Sequence, residues 1–346
     1  MNRKVKQKMS LVDLQNRLQE KDFLKYLLQA DKQPFDPPKD LKNLAWEVLP
    51  YYLPSVNPRI TFHLRTDTGE YLLKLNTETH KIQREVAACR LFYTLNSPEL
   101  MVPKVYAAAE TQVFISKNLS CRWLIVEWVN GISATKAVDE MLVNLLPPGL
   151  LNLHRYPVNT TTVESIFGVQ MPIRSEAQGI LRERRREYFE RALEVCPQKL
   201  VRSVQKLKDI VCTHSFTDHL TFIHGDMHVN NIKYYQELYI DGYRLFLFDW
   251  EDISVDHPLY DLANLMFSDG FSERSQKCLE TYVLLYNQQP TEFGPLNLFD
   301  AWMLTAICFV RNLRWNFSAI NKDQEMLERG AEQTIKKILG ILQKNK

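Results

Sequence analysis

The sequence has no cysteine pair at metal spacing. Its six cysteines, Cys89, Cys121, Cys196, Cys212, Cys278 and Cys308, are scattered, with no C-x-x-C and no Cys/His pairing at zinc spacing. That excludes a zinc module, and in a chain this long the thiols are expected to be reduced and mostly buried. Long apolar runs are missing too. Nothing approaches the roughly 18 residues of a membrane span, and the basic segment MNRKVKQKMSLVDLQNRLQEKDF lacks the apolar run of a secretion signal. Neither sign of charge prevails: 43 Lys and Arg face 41 Asp and Glu, for a net charge of +2. Nothing in that balance calls for a nucleic acid or an anionic membrane as partner. No internal repeat or low-complexity segment is visible. The expectation is a cytoplasmic protein with neither nucleic-acid nor membrane partners.

What is present is ordinary globular material: 346 residues, 45% hydrophobic and 24% charged. That length suggests two domains or one large bilobal unit. Residues 10–30 read as an amphipathic helix capped by Ser10, with Leu11, Leu14, Leu18, Phe23, Leu24 and Leu27 at helical spacing. The prolines of QPFDPPKD stop it, and a short helix around DLKNLAWEVL follows. From Ile60 the period changes. ITFHLRTDTGEYLLKLN reads as two strands joined at Asp67-Thr68-Gly69, HKIQREVAACRLFYTL as a helix, and PKVYAAAETQVFIS and CRWLIVEWV as further strands. After Asn130-Gly131 the chain is mainly helical, with long helices around SEAQGILRERRREYFERALEV and PQKLVRSVQKLKDIV. A hairpin, IKYYQEL and RLFLFDW with a turn near Asp241-Gly242, precedes a helical remainder from about Pro258. The predicted organisation is an N-terminal helical extension over 1–48, a small sheet-plus-helix domain over 49–129 and a larger, mainly helical domain over 130–346.

One stretch, TFIHGDMHVNNIKYY (221–235), places His224, Gly225, Asp226, His228 and Asn231 between apolar residues. Asp226 and Asn231 are spaced D-x-x-x-x-N. Farther on, Asp249 stands at the end of the apolar run RLFLF, where a strand end holds a carboxylate rigidly. Oxygen donors of this kind suit Mg2+, which takes a few protein oxygens plus phosphate and water. Upstream, Lys74 lies in the strand EYLLKLN and Glu85 in the following helix. A strand lysine paired with a helix glutamate steadies nucleotide phosphates in kinases. The bland alternative is an Asx-type loop pair satisfying local amides, but the ordered set of Lys74, Glu85, Asp226, Asn231 and Asp249 favours a site.

The blocks TFIHGDMHVNNI and LFLFDWEDISVDHPLYDLANL resemble the two signatures of the aminoglycoside phosphotransferase and choline kinase family. The first matches at His224, Gly225, Asp226, His228 and Asn231; the second at Asp249, Trp250, Glu251, Asp256, Pro258, Asp261, Leu262 and Ala263. Weaker echoes are TGEYLLK, REVAACRLF, VEWVNG and LNLHRYP, so the resemblance spans about residues 50–270. It implies an α+β, bilobal protein-kinase-like fold and an ATP- and Mg2+-dependent small-molecule kinase acting on a hydroxyl of an amino alcohol, aminoglycoside, thiamine or sugar. Asp226 would meet the acceptor hydroxyl, Asn231 and Asp249 would hold Mg2+, and Lys74, steadied by Glu85, would bind phosphates. The adenine would lie near the backbone of Glu127 to Val129, in a slot lined by residues such as Leu73 and Ile125. Glu251 is a candidate second metal ligand or else a solvated side chain. His224 and His228 read as structural, and Asp256 and Asp261 as braces.

Other features are expected to be structural. The basic run LRERRRE in 181–187 reads as a solvated, salt-bridged helix face. Trp302, Phe309, Trp315 and Phe317 read as core or as an acceptor cage, while Arg311 and Arg314 would repel a cationic acceptor unless paired. A polycationic antibiotic is disfavoured by the lack of an acidic run in the C-terminal half, and a protein substrate by the lack of an activation segment between Asp249 and Asp261. The family's first strand turn carries glycines; here LPSVNPRIT offers Ser55, Asn57 and Pro58 instead. That departure motivates a second reading, a catalytically weak kinase-like binding module whose N-terminal helix docks a partner.

Overall fold

The computed structural model describes residues 47–50, 59–66, 69–94, 100–109, 112–116, 119–136, 139–168, 174–217, 219–236, 242–289, 294–318 and 324–344. The expected helix over 10–30 and the loop through Ser55, Asn57 and Pro58 lie outside them. The chain divides into two compact units, Met1–Leu95 with Val102–Asn130, and Asn96–Met101 with Gly131–Lys346.

The first unit begins with β1 (Glu47–Pro50), β2 (Arg59–Thr66), β3 (Gly69–Asn76) and helix α1 (Thr79–Tyr93). The short helix expected around DLKNLAWEVL is corrected at its end, because Glu47–Pro50 pairs with β2 as a strand. The chain passes through β4 (Leu100–Met101), which belongs to the second unit, and returns as β5 (Val105–Ala108), β6 (Val113–Ser116) and β7 (Leu119–Glu127). The sheet runs β1-β2-β3-β7-β5, with β6 also on β7. Register places Thr61 opposite Lys74 and Lys74 opposite Leu124. Ile82 and Val86 of α1 pack on Leu72, Leu124 and Val126, all on the Lys74 face. Because strand side chains alternate, Leu73 and Ile125 fall on the opposite face, where they are fully buried. They therefore cannot line a slot on the lysine side.

The second unit contains β8 (Ile132–Ser133), α2 (Asp139–His154), α3 (Thr160–Phe167), α4 (Arg174–Val195), α5 (Gln198–Thr213), β9 (Thr221–Ile223), β10 (Ile232–Gln236), β11 (Tyr243–Leu247), β12 (Ser254–Asp256), α6 (Leu259–Ser268), α7 (Glu273–Asn287), α8 (Leu298–Ser318) and α9 (Gln324–Lys344). A four-stranded sheet runs β4-β11-β10-β8, and β9 with β12 forms a separate ribbon. Thr221 faces Asp256 across that ribbon. Helix α8 is buried all round from Met303 to Val310, as expected of a central helix, and it packs on α4, α6 and α9.

The basic run of α4 is not wholly solvated. Arg185 is buried, donates to Asp256 at 2.8 Å and lies 4.0 Å over the Phe216 ring, whereas Arg186 pairs with Glu183 on the surface. Phe309 is core and Trp302 stacks loosely on Phe271; the Arg314 and Trp315 side chains lie outside the description. Among the described residues no helix is long and apolar enough to cross a membrane.

Candidate active site

In the first unit, α1 turns Glu85 toward β3. Lys74 Nζ donates to Glu85 Oε1, and the two side chains are 4% and 2% exposed. The second oxygen, Glu85 Oε2, is buried with no hydrogen-bond partner. Burial strengthens such a pair and makes either partner costly alone. At the end of β7, Glu127 is already engaged: its N–H donates to the Lys104 carbonyl at 2.9 Å, and its carboxylate accepts from the Lys104 N–H at 3.3 Å. Burial raises the Glu127 carboxyl above its usual range, against that bond and the Lys104 charge. Val129 is buried.

The second unit carries the loop after β9. The N–H groups of His224 and Gly225 both donate to one carboxylate, Asp261, at 2.8 and 2.9 Å. Asp261 stands in the first turn of α6, yet the amides it accepts belong to this loop and not to its own helix end. His154, the last residue of α2, donates to Asp261 through Nε2 at 3.2 Å, and its Nδ1 lies 2.6 Å from the Tyr282 hydroxyl. The His224 Nε2–H donates to the Phe248 carbonyl at 2.7 Å, which leaves Nδ1 to accept the Asp226 N–H at 3.4 Å. Gly225 has φ +82°, and a Cβ there would overlap the carbonyl oxygen of Asp252, so glycine is required.

Asn231 links the next turns. Its Nδ2 donates to the Asp226 carbonyl at 2.9 Å, and its own carbonyl accepts the Phe248 N–H at 2.9 Å. Phe248 precedes Asp249, which has φ 68°, a left-handed conformation that aspartate tolerates better than most residues. Asp226, Asn231 and Asp249 thus issue from turns bonded to one another. Spending Nδ2 on Asp226 leaves the Asn231 amide oxygen as an acceptor. Glu251 is buried, not solvated. Among the described residues no group of three or more His, Cys, Asp and Glu could hold a metal by itself.

Asp226 sits in mixed electrostatics. Burial pushes its carboxyl up and nearby Asp249 adds to that, but the His228 hydrogen bond with the His228 and Arg311 charges outweighs both, so the group lies below its usual range. His228 Nε2 is 3.5 Å from Asp226 Oδ2. Arg311 reaches in from α8, with Nη2 3.2 Å from Asp252 Oδ2. It is paired, so the charge that would repel a cationic acceptor is offset.

A sequence model of the phosphotransferase enzyme family matches residues 55–296, most of the 346-residue chain. The chain belongs to the phosphotransferase enzyme family. This phosphotransferase has the α+β fold expected of it, a small sheet-plus-helix unit and a larger, mainly helical one. It is similar to a candidate aminoglycoside phosphotransferase from Ralstonia eutropha JMP134, at 14% identity and TM-score 0.64 over 93% of this chain and 97% of that one. It is also similar to a choline/ethanolamine kinase family protein from Mesorhizobium loti, at 13% identity and TM-score 0.55 over 91% and 94% of the two chains. A microcompartment-associated aminopropanol kinase aligns at 15% identity and TM-score 0.57, over 86% and 91%. No curated protein sequence matches the phosphotransferase.

Sequence reasoning did not find the Asp252–Arg311 contact or the His154–Asp261 bond. The weak LNLHRYP echo was the one sign of His154. Nothing in the sequence pointed from α8 back to Gly225.

Proposed function

We propose that this phosphotransferase moves the terminal phosphoryl group of ATP to a hydroxyl of a small molecule, of the amino alcohol, aminoglycoside, thiamine or sugar class. The observation that carries the proposal is the bonding of Asn231 to both the Asp226 carbonyl and the Phe248 amide, which keeps three oxygen-bearing side chains on adjoining turns. In this reading Asp226 accepts a hydrogen bond from the acceptor hydroxyl and aligns it for attack. A carboxyl held below its usual range is a weak base, so alignment is its main contribution and the proton transfers late, as suits a loose transition state.

The donor set fits Mg2+. One carboxylate, Asp249, and one amide oxygen, Asn231, leave most coordination positions to water and phosphate, the preference of this ion. When bound, it would neutralise charge on the nucleotide phosphates. In the first unit, Lys74 would supply the second positive charge against the phosphates, held straight by Glu85, whose Oε2 lacks a partner. The backbone around Glu127 and Val129 would accommodate the adenine. The nucleotide assignment is supported by relatives: an amicoumacin kinase similar in fold, at 14% identity and TM-score 0.58 over 94% of this chain and 96% of that one, is described in complex with AMP-PNP and Ca2+. Arg311 is no obstacle to an amine-bearing acceptor because Asp252 pairs it.

The test is ATP consumption by the purified chain with Mg2+ against a panel of amino alcohols, sugars, thiamine and aminoglycosides. The proposal expects acceptor-dependent ADP release with at least one class. A flat thermal response to Mg-ATP together with no release with any acceptor would instead favour a binding module.

A further inference from the structure

Arg311 lies beyond residue 296, where the family match stops, so membership assigns it nothing. Its guanidinium bridges two turns. Nη1 donates to the Gly225 carbonyl at 2.9 Å, and Nη2 donates to Asp252 Oδ2 at 3.2 Å. Nη1 also lies 3.2 Å from the Tyr260 hydroxyl on α6. The first turn leads directly into Asp226; the second begins at Asp249. The turns touch, since a Cβ on Gly225 would collide with the Asp252 carbonyl oxygen. A planar fork with fixed N–H directions can hold two acceptors at a set separation, which an ammonium cannot.

The Arg311 and Asp252 side chains are 24% and 30% exposed, so the pair is partly buried and water screens only part of its attraction. Alignment is a strict requirement, because misplacing a reacting group by about 1 Å can cost about 100-fold in rate.

We propose that Arg311 is a positioning residue, a two-pronged staple that fixes the turn bearing Asp226 against the turn bearing Asp249 during phosphoryl transfer. The inference rests on the phosphotransfer reading above. Arg311 acts through Gly225 and Asp252, without touching substrate, and it brings α8 into the reaction.

The experiment measures kcat and both KM values for Arg311→Ala and Arg311→Lys, with Mg-ATP and whichever panel acceptor supports turnover. Arg311→Ala keeps a cooperative melt, its kcat falls about 100-fold, and KM for Mg-ATP and for the acceptor stays within about twofold. Arg311→Lys, which can hold one turn at a time, recovers less than about a tenth of the lost rate, and millimolar guanidinium ion restores part of the rate of Arg311→Ala. A kcat within about threefold of the parent overturns the proposal, as does a rise in acceptor KM at unchanged kcat, which would mean that Arg311 reads the acceptor. Should Arg311→Ala fail to fold, the same criteria applied to Arg311→Lys decide. If the parent chain consumes ATP with no acceptor, the phosphotransfer reading falls first. The staple is then judged by amide exchange at residues 224–226 and 249–252. Faster exchange in Arg311→Ala supports it and unchanged exchange overturns it.

Discussion

The Asp261 carboxylate, fully buried, accepts the His224 N–H at 2.8 Å while His154 donates to the same oxygen from 3.2 Å away. One acid in the first turn of α6 thus sets the course of the loop that ends in Asp226. Replacing it strands two loop amides and a histidine in a water-free interior. Asp261→Ala is expected to cost about 3–5 kcal/mol, read as a fall in melting temperature. Asp261→Asn, which keeps one acceptor oxygen, should cost less but still depress turnover. A parent-like melt for Asp261→Ala would show that the loop is held by something else.

The buried Lys74–Glu85 pair separates stability from function. Lys74→Met leaves the Glu85 carboxylate without its cation in a buried place, at a cost of about 3–5 kcal/mol. The double variant Lys74→Met/Glu85→Gln removes both charges and should regain most of that stability. It should not regain ATP turnover or the thermal shift with Mg-ATP. Recovered turnover in the double variant would reduce the pair to a structural ion pair.

Gly225→Ala should leave the β9–β12 ribbon in place yet cut kcat by about 100-fold or more. The added methyl meets the Asp252 carbonyl oxygen at a backbone with φ +82°, so the Asp226 and Asp249 turns must separate. The check is steady-state kinetics beside a thermal melt, and unchanged kcat would mean that the turns tolerate separation.

Acid should destabilise the protein through His257. Burial pushes its imidazole down to about 3, against a reference of 6.5, and the Asp300 charge only partly opposes this. The unfolded chain therefore binds a proton below about pH 6.5 that the folded chain refuses until about pH 3. This contribution is fully present above pH 6.5 and is lost by about 1.4 kcal/mol per unit as pH falls through that window. The depressed carboxyls of Asp226, Asp269 and Asp300 act in the same direction at lower pH. Denaturant midpoints from pH 7 to 4 should fall steadily, and His257→Asn should flatten the upper part of the curve.

Much of this was legible in the residues. The spacing from Lys74 to Asp249 fixed the order of the elements because strand and helix periods are local properties, and β3, α1, β10 and β11 lie close to where the periodicity puts them. What escaped was what depends on long-range contact. Helix α2 runs through Pro147 and Pro148, residues that local rules treat as breakers. Leu73 and Ile125 look like slot residues until the register assigns them to the face opposite Lys74. β12 is three residues long and exists because β9 pairs with it. Asp261 braces the Gly225 loop as expected, but Arg311 acts on that loop from far along the sequence, so no spacing rule could bring it to Gly225.

The central claim is that Asp226 aligns the acceptor while Asp249 and Asn231 serve the nucleotide's metal. Asp226→Asn tests it most directly, with turnover and Mg-ATP affinity measured on the same preparation. The expected result is a fall in turnover of about 100-fold to 10,000-fold with Mg-ATP affinity close to the parent's. Near-parental turnover toward the same acceptor, or loss of Mg-ATP binding together with turnover, would contradict the account.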